Sequence, residues 1–89
     1  MIARAVEVRN KRGLHARASA KFVTLASGID AQIEVEKDGN KVCGTSIMGL
    51  MMLGAAMGDT ITISATGFGE EQAVERLCAL VEALFNEGE

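Results

Sequence analysis

Residues 31–43 read Ala31-Gln32-Ile33-Glu34-Val35-Glu36-Lys37-Asp38-Gly39-Asn40-Lys41-Val42-Cys43. Ala31, Ile33 and Val35 alternate with Gln32, Glu34 and Glu36, a period of two that makes 31–36 a strand with one apolar face. Asp38-Gly39 is a two-residue hairpin signal, because both central positions of a type I′ turn need positive φ. Lys41-Val42-Cys43 then returns as a short antiparallel strand. A strand that is polar on one side belongs to a sheet covered on one face only. The rest of the chain has to supply that cover.

Toward the N-terminus, residues 2–8 form a looser strand, with Ile2, Val6 and Val8 on one side and Glu7 and Arg9 on the other. Asn10-Lys11-Arg12-Gly13 is a polar loop. Ala16 to Ser27 are good helix formers, with Ala18, Phe22, Leu25 and Ile29 at helical spacing. Gly28 stands where a left-handed cap is expected. Beyond the hairpin, Thr45-Ser46 offers an N-cap to a short helix over 47–53, closed by Gly54. Thr60 to Thr66 alternates again, with Ile61, Ile63 and Ala65 on one face. After Gly67 and Gly69, Glu70 and Glu71 suit the positive end of a helix. That helix is expected to run to about Phe85 and to bury Val74, Leu77, Val81 and either Leu84 or Phe85. The order β-α-β-β-α-β-α defines an α+β fold of two layers, an antiparallel sheet with helices on one side.

The 89 residues suit one domain, 1–89, which buries roughly 60–65% of its unfolded surface and encloses no large cofactor. Net charge is −3, yet residues 1–45 carry +3 and residues 46–89 carry −6. An acidic chain without Trp or Tyr is poorly equipped for nucleic acid. The longest uncharged apolar run, Ile47 to Met57, is eleven residues and too short to span a bilayer. The charged start, Met1-Ile2-Ala3-Arg4, is not that of a signal peptide. Two cysteines and one histidine do not build a zinc cage, so no metal is expected. Cys43 and Cys78 read as reduced core or near-core thiols of a cytoplasmic protein.

Chemistry concentrates in Gly13-Leu14-His15-Ala16-Arg17, where the only histidine meets the start of a helix. The first helical turn presents unpaired N–H groups and the positive end of the dipole, so it attracts anions. A neutral ring nitrogen there is a nucleophile. A phosphoryl group on it would be held by the N–H groups of Ala16 and Arg17 and by the Arg17 guanidinium. By itself, a histidine in this place is more often a cap or a surface residue.

With Thr45-Ser46-Ile47-Met48-Gly49 and Leu53-Gly54, the Gly13–Arg17 run resembles the HPr family, the histidine-containing phosphocarriers of the bacterial phosphoenolpyruvate-dependent phosphotransferase system. The resemblance extends over essentially the whole chain. It implies an open-faced β-sandwich with sheet order 1-4-2-3 and three helices on one face. It also implies that His15 is the phosphoacceptor through Nδ1, taking phosphate from enzyme I and passing it to an enzyme IIA domain. Arg17 would position the phosphate or the partner. Ser46 would match the serine modified by a dedicated HPr kinase/phosphorylase. Such a protein is a carrier that works only with partner enzymes, without a cofactor. One departure is Ala18, where the family usually has proline; its restored N–H is a further phosphate donor. Gly44-Thr45 is another, since relatives often carry a basic residue ahead of the serine.

A serine that opens a helix is ordinarily an N-cap, and a phosphate there would set new negative charge beside a docking surface. Leu50 and Leu53, spaced i, i+3, face the core. Ile47, Met48, Met51 and Met52 are too many apolar groups for one short helix to bury, so they form a docking patch near His15. Arg12 and Lys21, with Lys11, give that surface a basic rim for acidic partners. A monomer is expected. The alternatives are a nitrogen-branch or regulatory member of the same family, and a ferredoxin-like α/β-sandwich binding module.

Overall fold

The computed structural model describes residues 1–86, so the last three residues of the expected 1–89 domain lie outside the described residues. The elements are β1 (Ile2–Glu7), α1 (Ala16–Ser27), β2 (Gln32–Lys37), β3 (Asn40–Cys43), α2 (Ile47–Met52), β4 (Thr60–Thr66) and α3 (Glu70–Glu82), followed by one turn at Leu84–Asn86. The hairpin forms as its sequence requires. Asp38 and Gly39 have φ of 51° and 84°, and Lys37 pairs with Asn40 across the turn. The sheet order is β1-β4-β2-β3, with every neighbouring pair antiparallel.

Register places apolar side chains opposite one another, Val6 with Ile61, Ile33 with Ala65 and Val35 with Ile63. These residues are buried under the helices, whereas Gln32 on the other face is exposed. α3 lies on β1 and β4, and α1 packs against α2 and α3. This is the open-faced α+β sandwich expected above. Phe22, fully buried, stands at the centre of the α1 contact with Ala18, Ser19 and Ala26. Leu25 and Ile29 are only partly covered, because the buried row follows i, i+4, i+8 and leaves Leu25 on its shoulder. Among the described residues no helix is long and apolar enough to cross a membrane.

Three expectations are corrected. Gly28 is not left-handed: its φ is −86°, and α1 tightens instead through Gly28 N–H to Leu25 O at 3.2 Å and Ile29 N–H to Ala26 O at 3.1 Å. α3 ends at Glu82, not near Phe85. Leu84, Phe85 and Asn86 then take φ of 57°, 55° and 60°, and the reversal turns the Phe85 ring fully into the core. Burial of an aromatic ring here overrides the local preference for a right-handed turn. Cys43 is exposed, and only Cys78 is a core thiol. Cys43 pairs with Glu34, so it shares the uncovered face of the sheet. Burial pushes the Cys78 thiol up from its ordinary value.

Glu70 joins the ends of two elements. Its carboxylate accepts Gly67 N–H at 3.0 Å and lies 3.3 Å from the Met1 ammonium. The Gly67 hydrogen bond first, and the ammonium second, hold Glu70 below the usual carboxylate range. A depressed folded value means that the stabilisation is complete above the ordinary glutamate range and disappears as pH falls through the folded value. Glu70→Gln should therefore make the acid limb of a stability–pH profile shallower, measured as urea midpoints. An unchanged limb would count against this role.

Candidate functional site

The loop entering α1 is built on a backbone seat. Past the end of β1, Val8 N–H donates to Asp59 O at 2.8 Å and Gly58 N–H to Val8 O at 2.7 Å. The seat is the turn at Ala55–Ala56, which Asp59 braces by accepting Ala56 N–H on Oδ2 at 2.9 Å. Lys37 Nζ approaches the same carboxylate oxygen at 3.7 Å. Leu14 N–H donates to Ala55 O at 3.0 Å. Gly13 comes so close that a Cβ on it would meet Ala56 Cα at 2.8 Å and overlap Ala55 O. Its φ of 63° adds a second reason for glycine.

This seating delivers His15 to the N-cap of α1 with extended backbone, φ −74° and ψ 179°. Arg17 N–H donates to His15 Nδ1 at 3.2 Å. Nδ1 therefore carries a lone pair, and in the neutral ring the proton is on Nε2. Nε2 is buried without a hydrogen-bond partner. The first helical bond runs from Ser19 N–H to His15 O at 2.9 Å, so the N–H groups of Ala16, Arg17 and Ala18 all precede it. No acidic residue occupies the first turn, and nothing on the helix offsets its positive end. Ala16 and Arg17 are exposed; Ala18 is buried, so its N–H lies beneath the other two. Lys21 follows Arg17 by one helical turn, and both line a groove between α1 and α3.

Ser46 caps α2, its Oγ accepting Gly49 N–H at 3.0 Å. Leu50 and Leu53 point inward. Ile47, Met48, Met51 and Met52 are 42%, 73%, 44% and 79% exposed and bound one apolar depression. The Leu14–Ala55 hydrogen bond ties the far end of this patch to His15. Ser46 stands at the other end of the six-residue helix, about 9 Å along its axis at 1.5 Å per residue. His15, Ala16, Arg17 and Ala18 are thus gathered at one helix mouth, with the methionine face between them and Ser46. Arg12 is exposed in the loop leading to His15. Among the described residues, no group of three potential ligands could hold a metal. Asn10, Ser19 and Asp59 escaped the sequence reading. Asn10, three residues before Gly13, and Asp59, in the Gly58-Asp59 loop, stood in recognisable turn signals, whereas Ser19 did not.

The arrangement defines a small protein that offers one histidine nitrogen and a donor-rich helix mouth at its surface, beside an apolar face. Comparison with known proteins gives the same class a family. Residues 2–83 match the family model described as the PTS HPr component phosphorylation site. The phosphocarrier protein HPr of Cupriavidus necator is 44% identical over the full length of both chains. The phosphocarrier protein NPr of Shewanella violacea is 44% identical over 94% of this chain and 92% of that one. A crystal structure of HPr from Thermoanaerobacter tengcongensis superposes with a TM-score of 0.93 at 47% identity, covering 98% of each chain. The chain belongs to the HPr family, the phosphocarriers of the phosphotransferase system.

Because the seat has no room for a side chain at residue 13, Gly13→Ala should destabilise the fold by about 1–3 kcal/mol from backbone strain, with the clash added to it. It should also shift the amide resonances of His15 and Arg17. Unchanged stability and unchanged resonances would contradict the seat.

Proposed function

We propose that His15 carries a phosphoryl group between two partner proteins, accepting it through Nδ1 from phospho-enzyme I and delivering it to an enzyme IIA domain. The observation that supports this most is the Nδ1 lone pair held at the α1 N-terminus by Arg17 N–H. In the transfer the Nδ1 lone pair forms the new N–P bond as the donor's bond to phosphorus breaks. Arg17 N–H then loses its nitrogen acceptor and turns to a phosphoryl oxygen, joined by the N–H groups of Ala16 and Ala18. These donors are fixed by the helix backbone and meet charge where it arrives, with the Arg17 N–H changing its acceptor. The Arg17 guanidinium adds a charge-assisted contact and orients the partner. The return step reverses these motions, so the protein stores the group without consuming it.

The exposed Ile47, Met48, Met51 and Met52 are the docking face, since flexible methionines adapt to more than one partner. Arg12 and Lys21 extend it as a basic rim. In this reading Ser46 is phosphorylated by an HPr kinase/phosphorylase. The added charge sits at the edge of the apolar face and opposes an acidic partner without reaching His15. The protein works as a monomeric single domain of 1–89 in the cytoplasm, without a cofactor, and has no activity apart from its partners. A second reading, in which phosphorylation of a nitrogen-branch paralogue reports metabolic state, draws support from the NPr relative, as similar in sequence as the HPr relatives. The chemistry at His15 is the same in both, and only the enzyme IIA domain that accepts the phosphate separates them.

Incubation with phosphoenolpyruvate and enzyme I should add one acid-labile phosphoryl group, seen by intact mass, that His15→Ala abolishes. An unlabelled wild type, or a label that survives His15→Ala, would refute the proposal. Met48→Asp should raise KM for phospho-enzyme I about tenfold while stability stays within about 0.5 kcal/mol, as befits an exposed position. Equal losses in docking and stability would place Met48 in the fold instead.

A further inference from the structure

Among the described residues, three polar ones are fully or nearly buried, Asn10, Ser19 and Ser64, and the first two converge on the backbone that leads into His15. Asn10 Nδ2 donates to Gly13 O at 2.8 Å. Ser19 Oγ donates to Leu14 O at 3.2 Å. Ser19 N–H holds the next carbonyl, His15 O, at 2.9 Å. Every carbonyl from residue 13 to residue 15 thus has a fixed donor, and two of those donors are side chains with no exposed surface. Peptide planes pinned at both the Gly13 and Leu14 carbonyls leave little freedom in the backbone angles that aim the imidazole.

Neither contact is needed simply to close the loop. Gly13 N–H already donates to Asn10 O at 3.2 Å, which makes the turn without any side chain. An apolar residue at 10 would fill the same space but would leave the carbonyl of the buried Gly13 without its donor. Asn10 instead keeps Oδ1 buried without a partner, an arrangement that packing alone does not favour. Residue 18, between Arg17 and Ser19, is an alanine whose φ is not locked by a ring. The Ser19 hydroxyl therefore supplies restraint at the turn where covalent rigidity is missing.

We propose that Asn10 and Ser19 are positioning residues for phosphoryl transfer, which act by pinning the Gly13 and Leu14 carbonyls and so holding His15 Nδ1 on the Arg17 amide. This rests on the phosphocarrier reading of His15. Misplacing a reacting atom by about 1 Å can cost about a hundredfold in rate, so the effect belongs in kcat. Neither side chain reaches the surface, so KM for a docking partner has no reason to change.

The test compares wild type, Ser19→Ala and Asn10→Ala. Ser19→Ala removes a single oxygen and keeps the helix residue, so it reports even if Asn10→Ala does not fold. In the unphosphorylated protein, imidazole and amide 15N spectra read the Nδ1–Arg17 hydrogen bond without any partner. The variants should move Nδ1 toward the average of two exchanging tautomers and weaken the Arg17 amide's hydrogen-bond shift. With phospho-enzyme I, kcat should fall about ten- to a hundredfold at KM within about twofold of wild type. Wild-type spectra and wild-type kcat in a folded Ser19→Ala protein would overturn the proposal, as would a loss confined to KM. A wild type that enzyme I does not label would instead defeat the phosphocarrier reading, and the spectra would still decide whether Asn10 and Ser19 position the ring.

Discussion

The hydrogen bond from Leu14 N–H to Ala55 O joins two loops that are far apart in sequence, and the site depends on it. On one side is the segment that ends β1 and starts α1. On the other is the turn that ends α2 and starts β4. Gly13 makes the approach possible, since any Cβ would run into the Ala55–Ala56 backbone. Asp59 fixes the turn from below, through Ala56 N–H and the nearby Lys37 ammonium. One contact thus places the histidine at its helix mouth and sets the methionine face beside it. The proposed nucleophile and the proposed docking surface are joined through one backbone contact.

The size of the chain explains why the arrangement lies on the surface. Its buried apolar residues are spent on one layer between sheet and helices, where Phe22, Phe85, Leu50, Ile61, Ile63 and Leu77 are the largest fully buried side chains among the described residues. A chain of this length has no core to spare for an enclosed substrate pocket. What it can offer is an exposed nitrogen, backbone donors that need no side-chain bulk, and an apolar face. Those suit a group passed from protein to protein.

Much of this was legible in the residues. The alternation at 31–36 and the Asp38-Gly39 turn gave the hairpin, because strand period and positive-φ turns are local properties. The helix from Ala16 to Ser27 and the strand from Thr60 to Thr66 came out with their observed ends for the same reason. The sheet order came from family resemblance, since pairing of β1 with β4 is a long-range choice that no local pattern encodes. The misses share that cause. Phe85 reverses the backbone hand to reach the core, and Gly28 sits in a tightened turn that needs no left-handed residue. Cys43 is exposed because its pairing with Glu34 puts it on the open face. His15 and its first-turn amides stood out because a helix start has a sequence signature. Asn10 and Ser19 did not, because a buried donor to a carbonyl three or five residues away looks like any polar loop or helix residue.

In the proposed transfer, the helix mouth selects Nδ1 of His15 as the atom that takes the phosphoryl group. The most direct measurement is 31P–15N coupling in protein with 15N-labelled histidine after phosphorylation by enzyme I and phosphoenolpyruvate. Coupling to Nδ1 is expected, with the proton still on Nε2 or exchanging there and a displaced Arg17 amide resonance. Coupling to Nε2, the buried nitrogen, would contradict it.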